Sequence, residues 1–113
     1  MADKNKTLVI SSYEDHIKVF DALSHPMRIR IMDILDGGQQ YVSELARTLK
    51  ISRPLLYMHL KKIEAAGLVE SHTEISSSGK ANKYYRSRDY RIVIEPALIR
   101  VLAGQIPEED SEE

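Results

Sequence analysis

Four histidines, His16, His25, His59 and His72, are the residues best suited to acid–base or metal chemistry in this chain, and they are scattered across different segments. No cysteine is present, which removes disulfides, thiolate metal sites and thiol redox sensing together. His16 stands beside Asp15, but no second histidine or acid cluster at ligand spacing accompanies it, so it reads as a surface histidine. The chain also lacks a glycine-rich phosphate loop, a nucleophile elbow, an HExxH pair and any carboxylate–histidine grouping at short spacing. Enzymatic activity, a bound cofactor and a metal centre are therefore not expected.

What remains is the chemistry of hydrogen-bond donors and cations. Between Ser52 and Lys62 the sequence SRPLLYMHLKK sets donors and apolar groups at its leading end and lysines behind. Such a segment, if helical, suits a DNA major groove. Arg53 can meet guanine through two hydrogen bonds, a contact that discriminates by about 1–3 kcal/mol. Ser52 lies at the same leading end, Tyr57 and His59 can bond to phosphates or base edges, and Leu55 and Met58 can meet thymine methyls. Lys61 and Lys62 would position the protein electrostatically, as would Lys80, Lys83 and Arg86 further on.

Charge distribution agrees. The formal net charge of −1 conceals ten Lys/Arg against five Asp/Glu over residues 41–91, while Glu108, Glu109, Asp110, Glu112 and Glu113 load the tail with negative charge. A polyanion meets the distribution and not the total.

The element that must position these groups is the stretch from Tyr41 to Val69, which reads as two helices joined by a tight turn. Ser43 is the expected cap of the first helix, Glu44 suits its positive end, and Leu45 and Leu49 share one face. Lys50-Ile51-Ser52 forms the turn, since Ser52 is a good N-cap and Pro54 fits only the first turn of a new helix. On the second helix Leu56, Leu60 and Ile63 make the core-facing stripe and Gly67 supplies a left-handed stop. The opposite arc carries Pro54, Tyr57, Met58, Lys61 and Lys62, with Leu55 and His59 at its edges.

Around this unit the chain supplies supports. Residues 1–11 read as a loose arm, in which Leu8-Val9-Ile10 can pack on a neighbour. Ser12 caps a first helix with Asp15 in the capping-box position, and Ile17, Phe20 and Leu23 give it an apolar face. Ser24-His25-Pro26 opens a second helix whose buried stripe is Met27, Ile31, Ile34 and Leu35, with Arg28 and Arg30 off the stripe and Asp36-Gly37-Gly38 as its stop. Leu68 to Ile75 reads as a strand, residues 76–82 as a flexible tip, and Lys83-Tyr84-Tyr85-Arg86 as the return strand of a basic hairpin. One of Tyr84 and Tyr85 should pack inward while the other lies on the surface. Tyr90 to Ile94 fits a short strand or an extended connector. Glu95-Pro96 starts a last helix whose Leu98, Ile99, Val101 and Leu102 are too apolar to stay exposed, so a partner should cover it. The tail after Pro107 is acidic and expected to be unstructured.

Three motifs in order, Ala22 to Leu35 (ALSHPMRIRIMDIL), SELARTLKIS, and RPLLYMHLKKIEAAGLV, resemble the ArsR-type (ArsR/SmtB) winged-helix repressors over roughly residues 13–104. The chain departs from that pattern at Lys50, where the family usually has glycine, at Tyr57 and Met58, which replace small and basic residues, and in having no cysteine. The resemblance implies a mainly α fold with a small β-hairpin wing over residues 12–106, followed by an acidic tail at 107–113. It further implies a homodimer built by the first and last helices, to which Ile17, Phe20, Leu98, Val101 and Leu102 are assigned, and it gives His25 a capping or packing role. The implied function is a transcriptional regulator, by family default a repressor, reading a pseudo-palindromic operator with two recognition helices about 34–36 Å apart. A small-molecule effector is left open as a further partner; the family's histidine-and-acid pattern on the last helix is missing. A second reading stands beside this one: bulky Leu55, Tyr57 and Met58 would also suit a winged-helix protein-interaction module that does not read DNA.

At 113 residues the chain fits one domain with a core small enough to gain from a dimer partner. Residues 1–7, MADKNKT, lack the apolar middle of a signal peptide, and no apolar run is long enough to span a bilayer, so a cytoplasmic location is expected.

Overall fold

The computed structural model describes residue 10 and residues 12–110. The expected arm at 1–11 and the last residues of the tail lie almost wholly outside them. Helix α1 (Tyr13–Ala22) opens on Ser12, whose hydroxyl accepts the Asp15 N–H at 3.0 Å. Helix α2 (Pro26–Asp36) opens on His25, whose ring nitrogen accepts the Met27 N–H at 3.0 Å. Both caps satisfy donors that a helix start leaves open. Strand β1 (Gln40–Tyr41) runs directly into helix α3 (Val42–Leu49), and helix α4 (Arg53–Ala65) follows after a short turn. Strands β2 (Val69–Ile75) and β3 (Ala81–Ser87) form the hairpin, and helix α5 (Pro96–Gln105) precedes a 3-10 turn at Glu108–Asp110.

The three strands form one antiparallel sheet in the order β1-β3-β2, with Tyr41 opposite Tyr84 and His72 opposite Tyr84. Beneath it, Val19, Ile31, Leu35, Leu45, Leu56, Leu60, Ile63, Leu68 and Tyr85 make the core. Burying a side chain of this size is favourable by about 1.5–3 kcal/mol, which is what ties α1, α2, α3 and α4 together.

Several expectations are corrected. Ser43 does not cap α3; Tyr41 occupies the N-cap position without a side-chain bond, because pairing with Tyr84 carries the strand up to the first helical residue. His16 is buried, not on the surface: its Nδ1 donates to the Ser12 carbonyl at 2.8 Å, and Val19 and Ala22 share its inward face. Ile17, on the face read as apolar, is exposed, while Phe20 and Leu23 are half-buried against the core. Arg28 does not point away from the α2 core stripe but is only 7% exposed. Tyr90 to Ile94 is an extended connector with one bridge residue at Tyr90, and part of the expected unstructured tail forms the 3-10 turn.

Two helix ends position the reading unit. At the end of α4, Gly67 has φ 80°. There Gly67 N–H bonds the Glu64 carbonyl at 2.9 Å and Leu68 N–H the Ile63 carbonyl at 3.2 Å. At the end of α3, Lys50 has φ 58° and ψ 42°. Lys50 N–H bonds the Arg47 carbonyl at 3.2 Å and Ile51 N–H the Ala46 carbonyl at 3.1 Å. Both are Schellman endings, one on glycine and one on lysine. Lys50 therefore adopts the left-handed conformation that glycine takes without strain.

Candidate nucleic-acid interface

Helix α4 starts where its reading groups must be aimed. The Ser52 hydroxyl accepts the Leu55 N–H at 3.2 Å, and Arg53 and Pro54 form the first turn. Because Leu56, Leu60 and Ile63 are fully buried, Pro54, Tyr57, Met58 and Lys61 are held outward, Met58 being 56% exposed. Arg53 and Leu55 are exposed at the same leading end. The face is thus a cation, a proline, three bulky groups and a lysine on a rigid helix.

The wing adds charge unevenly, because successive strand residues point to opposite faces. Tyr85 is buried, and Lys83, two residues before it, shares its face with the ammonium 5.4 Å from the Tyr85 ring centroid. The Tyr85 hydroxyl, by hydrogen bond and then by charge, raises the Lys83 pKa, with Glu64 and Tyr57 of α4 adding to it. Burial in turn pushes the Tyr85 phenol up. Lys83 accordingly stays cationic beside the recognition helix. Lys80 is exposed at the tip. Ser71 ties the wing to α4 through a 2.9 Å bond to Glu64.

Three residues of the expected set are placed elsewhere. His59 is not at the edge of the outer arc; it is 3% exposed, with its Nδ1 3.1 Å from the Arg28 guanidinium. The core needs four inward positions on this helix, and His59 occupies the one facing α2. Lys62 is exposed, but its ammonium bonds the Asp21 carboxylate of α1 at 2.8 Å. Arg86 lies on the opposite face of the wing from Lys83 and donates to Glu70 at 2.6 Å. On that outer face His72 stacks on Tyr84 and bonds Glu74 at 2.8 Å. The structure therefore leaves Ser52, Arg53, Leu55, Tyr57, Met58 and Lys61 exposed on α4 with Lys83 beside Tyr57 and Lys80 exposed at the hairpin tip, while His59 is buried and Lys62 and Arg86 are each paired with a carboxylate. The resemblance marks the region around His25 and Arg28 as structural, but the bonds Arg28 makes to α1 and α4 left no signal in the sequence beyond its place in the SHPMR segment.

The remaining assigned surface is on α1 and α5. Val101 is 55% exposed and Ile17 is exposed, Phe20 and Leu98 are half-buried, and Leu102 is buried within its own chain. Leu102 thus offers little area to a partner. Among the described residues no group of three or more His, Cys, Asp or Glu side chains could hold a metal ion, and no helix is long and apolar enough to cross a membrane.

Comparison with known proteins agrees with this geometry. Residues 25–71 match a family described as bacterial regulatory protein, arsR family. The chain is 38% identical over 88 residues to an uncharacterized HTH-type transcriptional regulator of Methanocaldococcus jannaschii, spanning 78% of this chain and 92% of that protein. It is 35% identical over 54 residues to the transcriptional repressor SdpR of Bacillus subtilis, spanning 48% of this chain and 60% of that one. Its fold is similar to the solution structure of a homodimeric winged helix-turn-helix DNA-binding domain from Mycobacterium bovis, with a TM-score of 0.56 and 22% identity over 80% of this chain and 73% of that one.

Proposed function

Because this chain belongs to the ArsR family of bacterial regulatory proteins, and is accordingly a DNA-binding transcriptional regulator, we propose that it represses transcription by binding a pseudo-palindromic operator as a homodimer. The observation that carries this reading is the outward face of α4, Arg53 to Lys61, held beside Lys83 of the wing on a helix whose other side is fully buried. Arg53 reads guanine, Leu55, Tyr57 and Met58 meet base edges and thymine methyls, and Lys61, Lys80 and Lys83 meet phosphates. Lys62 and Arg86, already paired with Asp21 and Glu70, contribute charge at longer range. Ile17, Phe20, Leu98 and Val101 form the dimer surface, with Leu102 behind them. The chain works in the cytoplasm without enzymatic activity, and residues 107–113 act as a solubilising acidic tail.

Repression by this means needs only occupancy of a site that overlaps transcription initiation. Selection of duplexes from a random pool, followed by anisotropy titration of the enriched site at several salt concentrations, tests the reading. An inverted repeat bound well above a scrambled duplex, with affinity falling steeply in salt, is expected. Equal weak binding to both duplexes would overturn it in favour of a protein-interaction module. Within the selected site, Arg53→Ala should relax preference at one position per half-site by about 1–3 kcal/mol.

A further inference from the structure

The seam between α1, α2 and α4 holds ionisable groups that the DNA-reading face does not use. Arg28 Nε donates to the Ala22 carbonyl at 2.7 Å and its Nη2 to the Asp21 carbonyl at 3.1 Å, at the end of α1. Its Nη1 reaches across to His59 Nδ1 of α4 at 3.1 Å. A guanidinium only donates, so Nδ1 of His59 must present its lone pair and the ring proton must sit on Nε2. His25 is held the same way, since its Nδ1 accepts the Met27 N–H that caps α2. The two imidazoles lie 4.7 Å apart between ring centroids.

The charged groups around this pair are largely of one sign. Arg28 and His25 face His59 from α2, and Lys62 of α4 lies alongside; Asp21 of α1 is the acidic neighbour, and its carboxylate is bonded to Lys62. Lys18 and Lys61 line the outer rim of the same seam. A proton on His59 Nδ1 would set N–H against N–H and add positive charge at a 3% exposed position next to a guanidinium.

We propose that His59, held by Arg28, forms a proton-sensitive latch that fixes the recognition helix against α1 and α2: the neutral ring closes it, and acidification opens it and weakens DNA binding. The proposal rests on α4 being the DNA-reading helix. Burial first, then His25 and Arg28, lower the His59 pKa from its ordinary 6.5, so proton uptake is tied to opening. With the folded pKa lowered, the latch is intact above the ordinary value and weakens as pH falls below it. One proton bounds the effect at about tenfold per pH unit for each protomer. The sign is diagnostic, because an exposed histidine near phosphates would instead strengthen binding on acidification.

The test compares the full-length protein with His59→Asn, on the selected duplex at constant ionic strength, at about pH 7.5 and about pH 5.5, a range that spans histidine titration. Asparagine places an amide oxygen where Nδ1 sits, accepts from Arg28, and takes no proton. Wild type should lose affinity several-fold at the lower pH relative to the variant; parallel pH profiles would overturn the latch. Should His59→Asn fail to fold, the wild-type protein decides the matter by NMR. A His59 ring titrating below its ordinary range, with α4 amides shifting at the same midpoint, supports the latch, and an ordinary midpoint with unmoved α4 amides sinks it. Failure to enrich any duplex would count against DNA reading alone, since the NMR arm needs no DNA.

Discussion

Replacing Lys50 by glycine should stabilise this protein, and replacing Gly67 by alanine should destabilise it by a similar amount. Both residues sit at the same position of the same helix ending, with φ 58° at Lys50 and φ 80° at Gly67. Holding an L-residue in the left-handed region costs about 1–2 kcal/mol. Glycine avoids that cost but loses about 0.5–1 kcal/mol more backbone entropy on folding. The difference leaves Lys50→Gly more stable by about 0.5–1 kcal/mol, near 4 °C in Tm for a chain of this size. The two backbone bonds of the ending, from Lys50 and Ile51 to Arg47 and Ala46, involve no side chain and survive the change. Urea unfolding followed by circular dichroism at fixed protein concentration reads the effect as a shift in midpoint at constant slope. Gly67→Ala serves as the internal control, and the double variant should return close to wild type because the sites share no partner. A Lys50→Gly protein with a lower midpoint than wild type would refute the reasoning, as would a Gly67→Ala protein that is unchanged.

Arg28→Leu should destabilise by about 2 kcal/mol or more, since it strands the Ala22 carbonyl and His59 Nδ1, each at about 1–3 kcal/mol where buried, while the Asp21 carbonyl keeps its bonds from Ser24; a smaller shift in urea midpoint would show that the seam repacks. The Lys62 ammonium, by hydrogen bond and then by charge, holds the Asp21 carboxyl below its ordinary 3.8, so the pair's contribution is present above that pH and is lost as pH falls through the folded value. Both side chains are about half exposed, so the difference between wild type and Asp21→Asn should be small and should vanish in about 1 M salt, which thermal melts at neutral pH will read. Val101→Asp should convert dimer to monomer in sedimentation while circular dichroism is preserved, and an unchanged mass would remove α5 from the interface. Lys83→Ala should weaken binding to all duplexes alike and reduce the salt slope by about 0.9, whereas an unchanged slope would place the wing off the phosphates.

Much of what neighbours within a turn or two govern was legible in the amino-acid order, although the His16 bond to the Ser12 carbonyl four residues away was not. Ser12 and Ser52 cap the helices they precede, and Gly67 ends the one it follows, because capping depends on a side chain and the few backbone groups beside it, while the cap at His25 was implied only by resemblance. The stripe Leu56, Leu60 and Ile63 is buried as its spacing demands, and alternation along the hairpin put one tyrosine inside and one outside. Periodicity names a face; it does not say what a long polar side chain meets at its tip. Arg28 finds His59 31 residues away, Lys62 finds Asp21 41 residues away, and Arg86 finds Glu70 16 residues away, each across a packed boundary between elements. Tyr41 displaced Ser43 as the start of α3 because its strand partner comes from the distant β3. The amino-acid sequence by itself thus determined the helix-turn-helix, the cap of its second helix and most of the face turned to solvent, since local sterics and hydrophobic period decide those. Only the tertiary structure decided which cations on that face are free to meet DNA and which histidine is locked inside, since those outcomes depend on contacts that exist only once the helices and the wing are packed.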